Sequence, residues 1–261
     1  MARMPSLFIS HGSPMLALQE TPAHQFLLGL GQSLPKPTAI LVASAHWEST
    51  GGPELSLATD PDTIHDFGGF PRALSEIQYD APGAPEVAAR AADCLEREGI
   101  TVKTNATRGL DHGAWVPLSL MYPRADIPVA QISVVRGATP DEHLRIGRAL
   151  SQLREEGVLV IGSGSLTHNL YELRGHDINA AVLSWVTEFA TWMSERLERN
   201  DSESLVNFYD KAPFAKRNHP TAEHILPLFV AMGAAGKAPT VRHLHGSYEY
   251  GVLAMDVYAF E

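Results

Sequence analysis

The chain has 261 residues, 44% hydrophobic and 19% charged, with a formal net charge of −10; this is enough apolar content to bury a substantial core, in one large domain or two small ones. The negative balance argues against a nucleic-acid or anionic-membrane surface, since both need clustered Lys and Arg. A lone cysteine, Cys94, excludes an internal disulfide and a cysteine-based metal site, and reads as a buried structural thiol on a helix face.

Apolar runs recur from Leu7 to Val257 with no long linker, so one domain over residues 1–261 is expected. Ser6–Ser10 reads as a short buried strand running into His11. Thr38–Ala45 is a near-continuous apolar run of the kind that forms a central strand covered on both faces, and it runs into His46. Leu55–Ala58 is a third strand. Asp60 to Pro85, rich in Gly, Pro, Asp and aromatics, reads as a long functional loop. Pro85 to Glu98 has helical spacing, with Pro at its start and Gly99 after its end.

Thr101–Lys103 and Pro128–Val134 are further strands. Pro140–Glu156 is an amphipathic helix with Leu144, Ile146, Leu150 and Leu153 on its apolar face. Val158–Ile161 is a buried strand leading through Gly162-Ser163-Gly164-Ser165 to His168. Asn179–Arg199 is a long helix with Val182, Leu183, Val186, Phe189, Ala190 and Met193 facing inward. Thr221–Ala235 is a helix with Glu223 and His224 in its first turn, and Gly251–Phe260 is the closing strand. Alternating strands and helices predict an α/β sandwich, with a central mixed, largely parallel sheet flanked by helices. No apolar stretch reaches the roughly 20 residues of a membrane span and no signal peptide is evident, so a cytoplasmic protein is expected.

Five histidines stand in chemically dressed motifs: Ser10-His11-Gly12-Ser13-Pro14, Ser44-Ala45-His46-Trp47, Asp111-His112-Gly113-Ala114-Trp115, Leu166-Thr167-His168-Asn169 and Glu223-His224. Histidine is the commonest metal ligand and the side chain best suited to moving protons near neutral pH. Several of these histidines follow an apolar strand directly, where α/β proteins place their chemistry. The pattern therefore points to a metal-dependent enzyme. His11 and His46 read as ligands. His112, in a loop beside an acid and a glycine, is a ligand or a general acid/base. His168 is a fourth ligand or a partner just outside the ligand set. Glu223 and His224, as helix neighbours about 100° apart, are not both expected to bind one ion.

His65 in the long loop is a pocket residue. His24, His143 and His176 read as solvated, and His219 shapes the entry to the last helix. His243 and His245 lie near the final strand, where His245-Gly246-Ser247-Tyr248 reads first as surface, with a substrate-pocket edge as the alternative. Other chemistries fail. Gly162-Ser163-Gly164-Ser165 lacks the Gly-Lys-Ser/Thr ending of a phosphate loop. Neither serine sits in a G-x-S-x-G elbow.

The stretches HGSPMLAL from His11, SAHW from Ser44, IHDFGGFP from Ile64, YDAPGAP from Tyr79, DHGAWVPL from Asp111, THNL from Thr167 and PTAEHILPL from Pro220 span essentially the whole chain. In this order they resemble the class III extradiol ring-cleaving dioxygenases, on the 4,5-DOPA dioxygenase-like branch of the protocatechuate 4,5-dioxygenase catalytic-subunit superfamily. The resemblance implies a non-haem Fe(II) held by His11, His46 and His224, with His168 a further ligand or a close partner and His112 the acid/base. The broader superfamily uses two histidines and a glutamate, so either His224 or Glu223 fills the third position. It also implies a small-molecule catechol and O₂ as reactants. His65, Trp47, Trp115 and Tyr248 are expected at the substrate wall. Zinc in the isolated protein would suit so many imidazoles but is redox-inert. Two rival readings remain: a zinc hydrolase using the same histidines to activate water, and a non-enzymatic scaffold on the same fold.

Overall fold

The computed structural model describes residues 3–261. Ser6–Ser10 (β1) is buried along its whole length because its side chains serve two cores. Leu7 and Ile9 join one apolar cluster and Phe8 another, the period-2 alternation of a strand covered on both faces. Ala39–Ser49 (β2) behaves alike, with Ile40 and Val42 on one side and Leu41 and Ala43 on the other.

After β1 come helix Pro22–Ser33 (α1), then β2, Glu54–Ser56 (β3), a single helical turn Arg72–Ser75 (α2) and helix Pro85–Arg97 (α3). Next are Lys103–Asn105 (β4), helix His112–Met121 (α4), Val129–Val135 (β5), helix Pro140–Ala149 (α5) and Val158–Gly164 (β6). Helix Ser184–Glu198 (α6) and three short helices, Ser202–Val206 (α7), Phe208–Lys211 (α8) and Ala215–Asn218 (α9), precede Leu226–Ala234 (α10). Val241–His245 (β7), the small pair Tyr248–Glu249 (β8) and Leu253–Ala254 (β9), and Val257–Phe260 (β10) close the chain.

Among the described residues the main sheet runs β4-β3-β5-β2-β6-β1-β10-β7. β5, β2, β6 and β1 are mutually parallel, whereas β3 lies antiparallel to β5 and β10 antiparallel to β1. Helices α1 and α4 pack with Leu7, Ile9, Ile40, Val42, Leu159 and Ile161 on one face. Helices α3, α5 and α10 cover the other, and α6 packs beside the β7 and β9 edge. This is the expected α/β sandwich with a mixed, largely parallel sheet. No helix among the described residues is long and apolar enough to cross a membrane.

Several boundaries differ from the sequence reading for physical reasons. β2 does not stop at Ala45: Ser44 and Glu48 pair with adjacent residues Ser133 and Val134 of β5, so Ala45, His46 and Trp47 form a bulge within the strand. The third and fourth strands are Glu54–Ser56 and Lys103–Asn105, shifted from Leu55–Ala58 and Thr101–Lys103 to pair with each other. The segment 140–156 is helical only to Ala149 and tightens into a 3-10 helix, Leu150–Glu156. The helix expected from Asn179 starts at Ser184, leaving Val182 exposed rather than inward. The segment 221–225 is a turn, so Glu223 and His224 precede α10 instead of sitting in it. The closing segment divides between β9 and β10, in different sheets.

Two of the three histidines read as solvated are buried. His24 bonds to the Leu16 carbonyl at 2.7 Å. His143 bonds to the Thr139 carbonyl at 2.9 Å and accepts from the Val135 amide at 3.0 Å, and burial pushes its pKa down.

Glycines on β6 bring α10 unusually close. A Cβ at Gly162 would lie 2.0 Å from the Pro227 carbonyl oxygen, and one at Gly164 would lie 2.1 Å from that of His224. Because the obstacle at Gly162 is backbone, Gly162→Ala must displace the first turn of α10. We expect a loss of about 1–3 kcal/mol, the usual cost of overpacking, read as a lower urea midpoint at unchanged m-value. An unchanged midpoint would show that the β6–α10 approach is not tight.

Candidate metal centre

The parallel strands end at a common edge, and their C-terminal ends deliver the histidines, as crevices at strand ends do in open α/β sheets. His11 follows β1 directly and its backbone N–H donates to the Gly164 carbonyl at the end of β6 (2.9 Å). His46 sits on the β2 bulge. His224 lies in the turn before α10, tied to β6 by the Ser165 amide donating to its carbonyl (2.8 Å).

His46 Nε2 lies 3.0 Å from His11 Nε2 and 3.2 Å from His224 Nε2. These three residues form one group able to hold a metal ion. The far nitrogens of the His11 and His224 rings fix the tautomers of those two rings. Ser163 Oγ donates its only proton to the Gly113 carbonyl, so it must accept from His11 Nδ1–H (3.0 Å). Glu223 Oε1, a carboxylate oxygen, accepts from His224 Nδ1–H (3.0 Å). His46 Nδ1 faces Asp66 Oδ2 at 3.4 Å. The His11 and His224 rings therefore carry their proton on Nδ1 and turn bare Nε2 lone pairs toward His46 Nε2, an array that a shared cation would stabilise. At a metal–nitrogen distance of about 2.0–2.1 Å, nitrogens at right angles lie about 2.9 Å apart and tetrahedral ones about 3.4 Å apart, a range that brackets the observed spacings. The donor set fits a divalent transition metal.

Burial also favours the neutral, ligating ring. His11 and His224 are pushed well below the usual imidazole range, first by desolvation and then by neighbouring histidines. Burial, reinforced by His112, brings His46 down to about 4 against the opposing pull of Asp111 and Asp66.

A buried polar network supports this edge. Asp111, fully buried, accepts from Ser44 Oγ (2.6 Å), Gln131 Nε2 (2.7 Å) and Arg108 (2.7 Å). Ser44 Oγ in turn accepts from the His46 amide (3.2 Å), and Arg108 donates to the His46 carbonyl (3.3 Å). The amide and carbonyl of His46, at the middle of the bulge, are thus both linked to Asp111, the residue before α4. Gly113 permits the approach, since a Cβ there would lie 2.5 Å from Ser44 Oγ and 3.1 Å from the His46 ring.

His112 is the first residue of α4 rather than a loop residue. Its ring centroid lies 3.8 Å from that of His46 and 5.5 Å from that of His11. Its Nδ1 donates to Asp66 Oδ1 (2.9 Å), which leaves Nε2 for a substrate. His168 stacks flat on His224, with centroids 3.4 Å apart and planes 8° apart; its ligand atoms group with Glu223 and His224, not with His11 and His46. Burial lowers His168 to about 4. His219 is buried under this turn and donates to the Leu166 carbonyl (2.8 Å).

The expected substrate wall is only partly assembled. His65 bonds the Ile77 carbonyl (3.0 Å) and meets Phe67 and Trp115 edge-on. Trp115 is fully buried and donates to the Ile64 carbonyl (3.0 Å), so it braces the long loop from behind instead of lining a pocket. Trp47 is buried under the Arg108 guanidinium, 5.1 Å above its ring. Tyr248 opens onto small grooves beside Gln19, Ile178 and His243, and none of the five histidines lines them. The sequence reading missed Phe67, whose ring meets that of His112 at 5.6 Å, and it missed Asp66 and Ser163. The only signal for Asp66 was an acid beside glycines and aromatics in a long loop.

Removing a ligand should empty the centre without unfolding the chain, because these rings project from strand ends. His11→Ala, His46→Ala and His224→Ala should each reduce bound metal to near zero with native-like circular dichroism. Glu223→Ala, which removes only the acceptor behind His224, should weaken metal affinity by about 10–100-fold. Full metal content in His224→Ala, with loss in Glu223→Ala, would reverse that assignment.

The chain is similar to known proteins along nearly its whole length. Residues 5–259 match the family described as the catalytic LigB subunit of aromatic ring-opening dioxygenase. The chain is 44% identical over 259 residues to a 4,5-DOPA dioxygenase extradiol of Beta vulgaris, covering 98% of this chain and 96% of the relative. It is 39% identical to the enzyme of that name from Escherichia coli K12, covering 97% and 93%. A crystal structure of an uncharacterized protein from Escherichia coli K12 superposes with a TM-score of 0.83 at 32% identity, over 99% of this chain and 100% of the other. The chain therefore belongs to the LigB family of aromatic ring-opening dioxygenases, among relatives of the 4,5-DOPA dioxygenase type.

Proposed function

We propose that the protein is an Fe(II)-dependent extradiol dioxygenase that opens a para-substituted catechol of the DOPA type with one O₂, giving a semialdehyde. The observation that carries this reading is the convergence of three imidazole Nε2 atoms on one point, with a fourth imidazole, His112, beside them. The relatives named as 4,5-DOPA dioxygenases support the substrate class.

His11, His46 and His224 would hold the metal. Bound ferrous iron supplies Lewis acidity toward the two catechol oxygens and the redox chemistry that O₂ requires, which d¹⁰ zinc lacks. His112 Nε2 takes the proton of a catechol hydroxyl and returns it to an oxygen of the product as the ring opens, steps suited to an imidazole. Asp66 Oδ1 holds that ring from behind. Phe67, edge-on to His112 and backed by Phe70, offers an apolar wall for the aromatic ring. His168, stacked on His224, shields the other flank. The zinc-hydrolase and scaffold readings draw no support from the relatives named above.

Two experiments test the proposal. Anaerobically Fe(II)-loaded protein, given O₂ with a panel of 4-substituted catechols including DOPA, should consume one O₂ per ring and form a yellow conjugated semialdehyde. Zinc-loaded protein should bind catechol and consume none. Equal O₂ uptake with zinc, or an unconjugated dicarboxylic acid product, contradicts extradiol cleavage. In the second, His112→Phe should keep the metal and bind catechol while turnover falls about 10²–10⁴-fold. A His112→Phe protein that loses its iron would make His112 a ligand.

A further inference from the structure

We propose that Asp66 is a positioning residue that docks the long 60–85 loop onto α4 and, in doing so, fixes the tautomer of His112. The proposal rests on the acid/base reading of His112 given above.

Asp66 Oδ1 accepts two hydrogen bonds from the same residue, one from His112 Nδ1–H (2.9 Å) and one from the His112 backbone N–H (3.0 Å). The second bond occupies one of the four amides that a helix start leaves without an internal partner. Asp111, the residue before α4, makes no side-chain cap, because its carboxylate is engaged by Ser44, Gln131 and Arg108. Asp66 supplies that acceptor from a different segment. One carboxylate oxygen thus holds both the main chain and the ring of His112, while Oδ2 faces His46 Nδ1 at 3.4 Å.

A carboxylate oxygen can only accept, so His112 must keep its proton on Nδ1 and present Nε2 as a bare base. The neighbouring Phe67 ring reaches His112 from the same loop, followed by Gly68 and Gly69. Seating the loop therefore brings the apolar wall and the correct His112 tautomer together. Asp66 is anchored from outside the core, with a quarter of its side chain exposed, so its removal leaves the sheet and its helices intact.

The test is a ¹⁵N–¹H correlation of the imidazole nitrogens, recorded on diamagnetic zinc-loaded protein, beside steady-state kinetics of the iron-loaded form. The parent should show His112 as the Nδ1–H tautomer alone. Asp66→Ala should shift His112 toward Nε2–H, with kcat lower by about 10²–10³-fold and KM moved less than about threefold. Asp66→Asn keeps an acceptor oxygen, which the backbone N–H of His112 pins in place. It should retain the Nδ1–H tautomer and recover about tenfold or more of the lost turnover. An Asp66→Ala protein whose His112 stays Nδ1–H overturns the proposal, whether or not zinc or activity is lost. So does one whose kcat stays within about twofold of the parent. Because the nitrogen spectrum needs no turnover, it decides the role of Asp66 even for a parent that cleaves no catechol, a result that would count against the dioxygenase reading instead.

Discussion

Three imidazole Nε2 atoms crowd toward one point, His46 Nε2 lying 3.0 Å from that of His11 and 3.2 Å from that of His224, an arrangement that the rest of the molecule maintains. Two of the rings are locked from behind by an acceptor, Ser163 for His11 and Glu223 for His224, while the Asp66 carboxylate faces His46 Nδ1 at 3.4 Å. These acceptors come from β6, from the turn before α10 and from the long loop, so no local segment can build the centre. A shared cation would stabilise the array, and burial of the neutral rings prepares them to bind one.

The frame behind the ligands explains how that arrangement survives. The β2 bulge carries His46 out of the ladder, and Asp111 ties it through Ser44 and Arg108 to the start of α4, where His112 begins. A buried carboxylate is expensive unless its lone pairs are satisfied, and here three side-chain donors satisfy it. His46 and His112, the proposed ligand and acid/base, are therefore tied into one buried network at the start of α4. The glycines of β6 play the matching part for His224 by letting its turn rest against the strand.

The parallel centre of this fold was legible because β1, β2, β5 and β6 are apolar runs covered on both faces, and three of them lead to histidine motifs. The five histidines were legible through their dressed settings and the family resemblance. Helix α4 was not, because nine of its ten residues are buried and it contains Pro117, so no amphipathic period marks it. The segment 221–225 has helical composition, yet it folds as a turn whose His224 carbonyl rests against the β6 backbone. Trp115 resembled a pocket wall only because it neighbours His112 in sequence; at the fourth position of a buried helix it faces the core. Asp66 lies 46 residues from His112, and only the folded chain brings them together.

The central claim is that one metal ion binds at the meeting point of the three Nε2 atoms. Two overlapping groups offer alternatives, His46 with Asp66 and His112, and His168 with Glu223 and His224. Anomalous diffraction at the iron edge from anaerobically loaded crystals separates all three. The account predicts a single peak about 2.1 Å from Nε2 of His11, His46 and His224, with His112 Nδ1 still on Asp66. A peak between Asp66 and His112, or between His168 and Glu223, would contradict it.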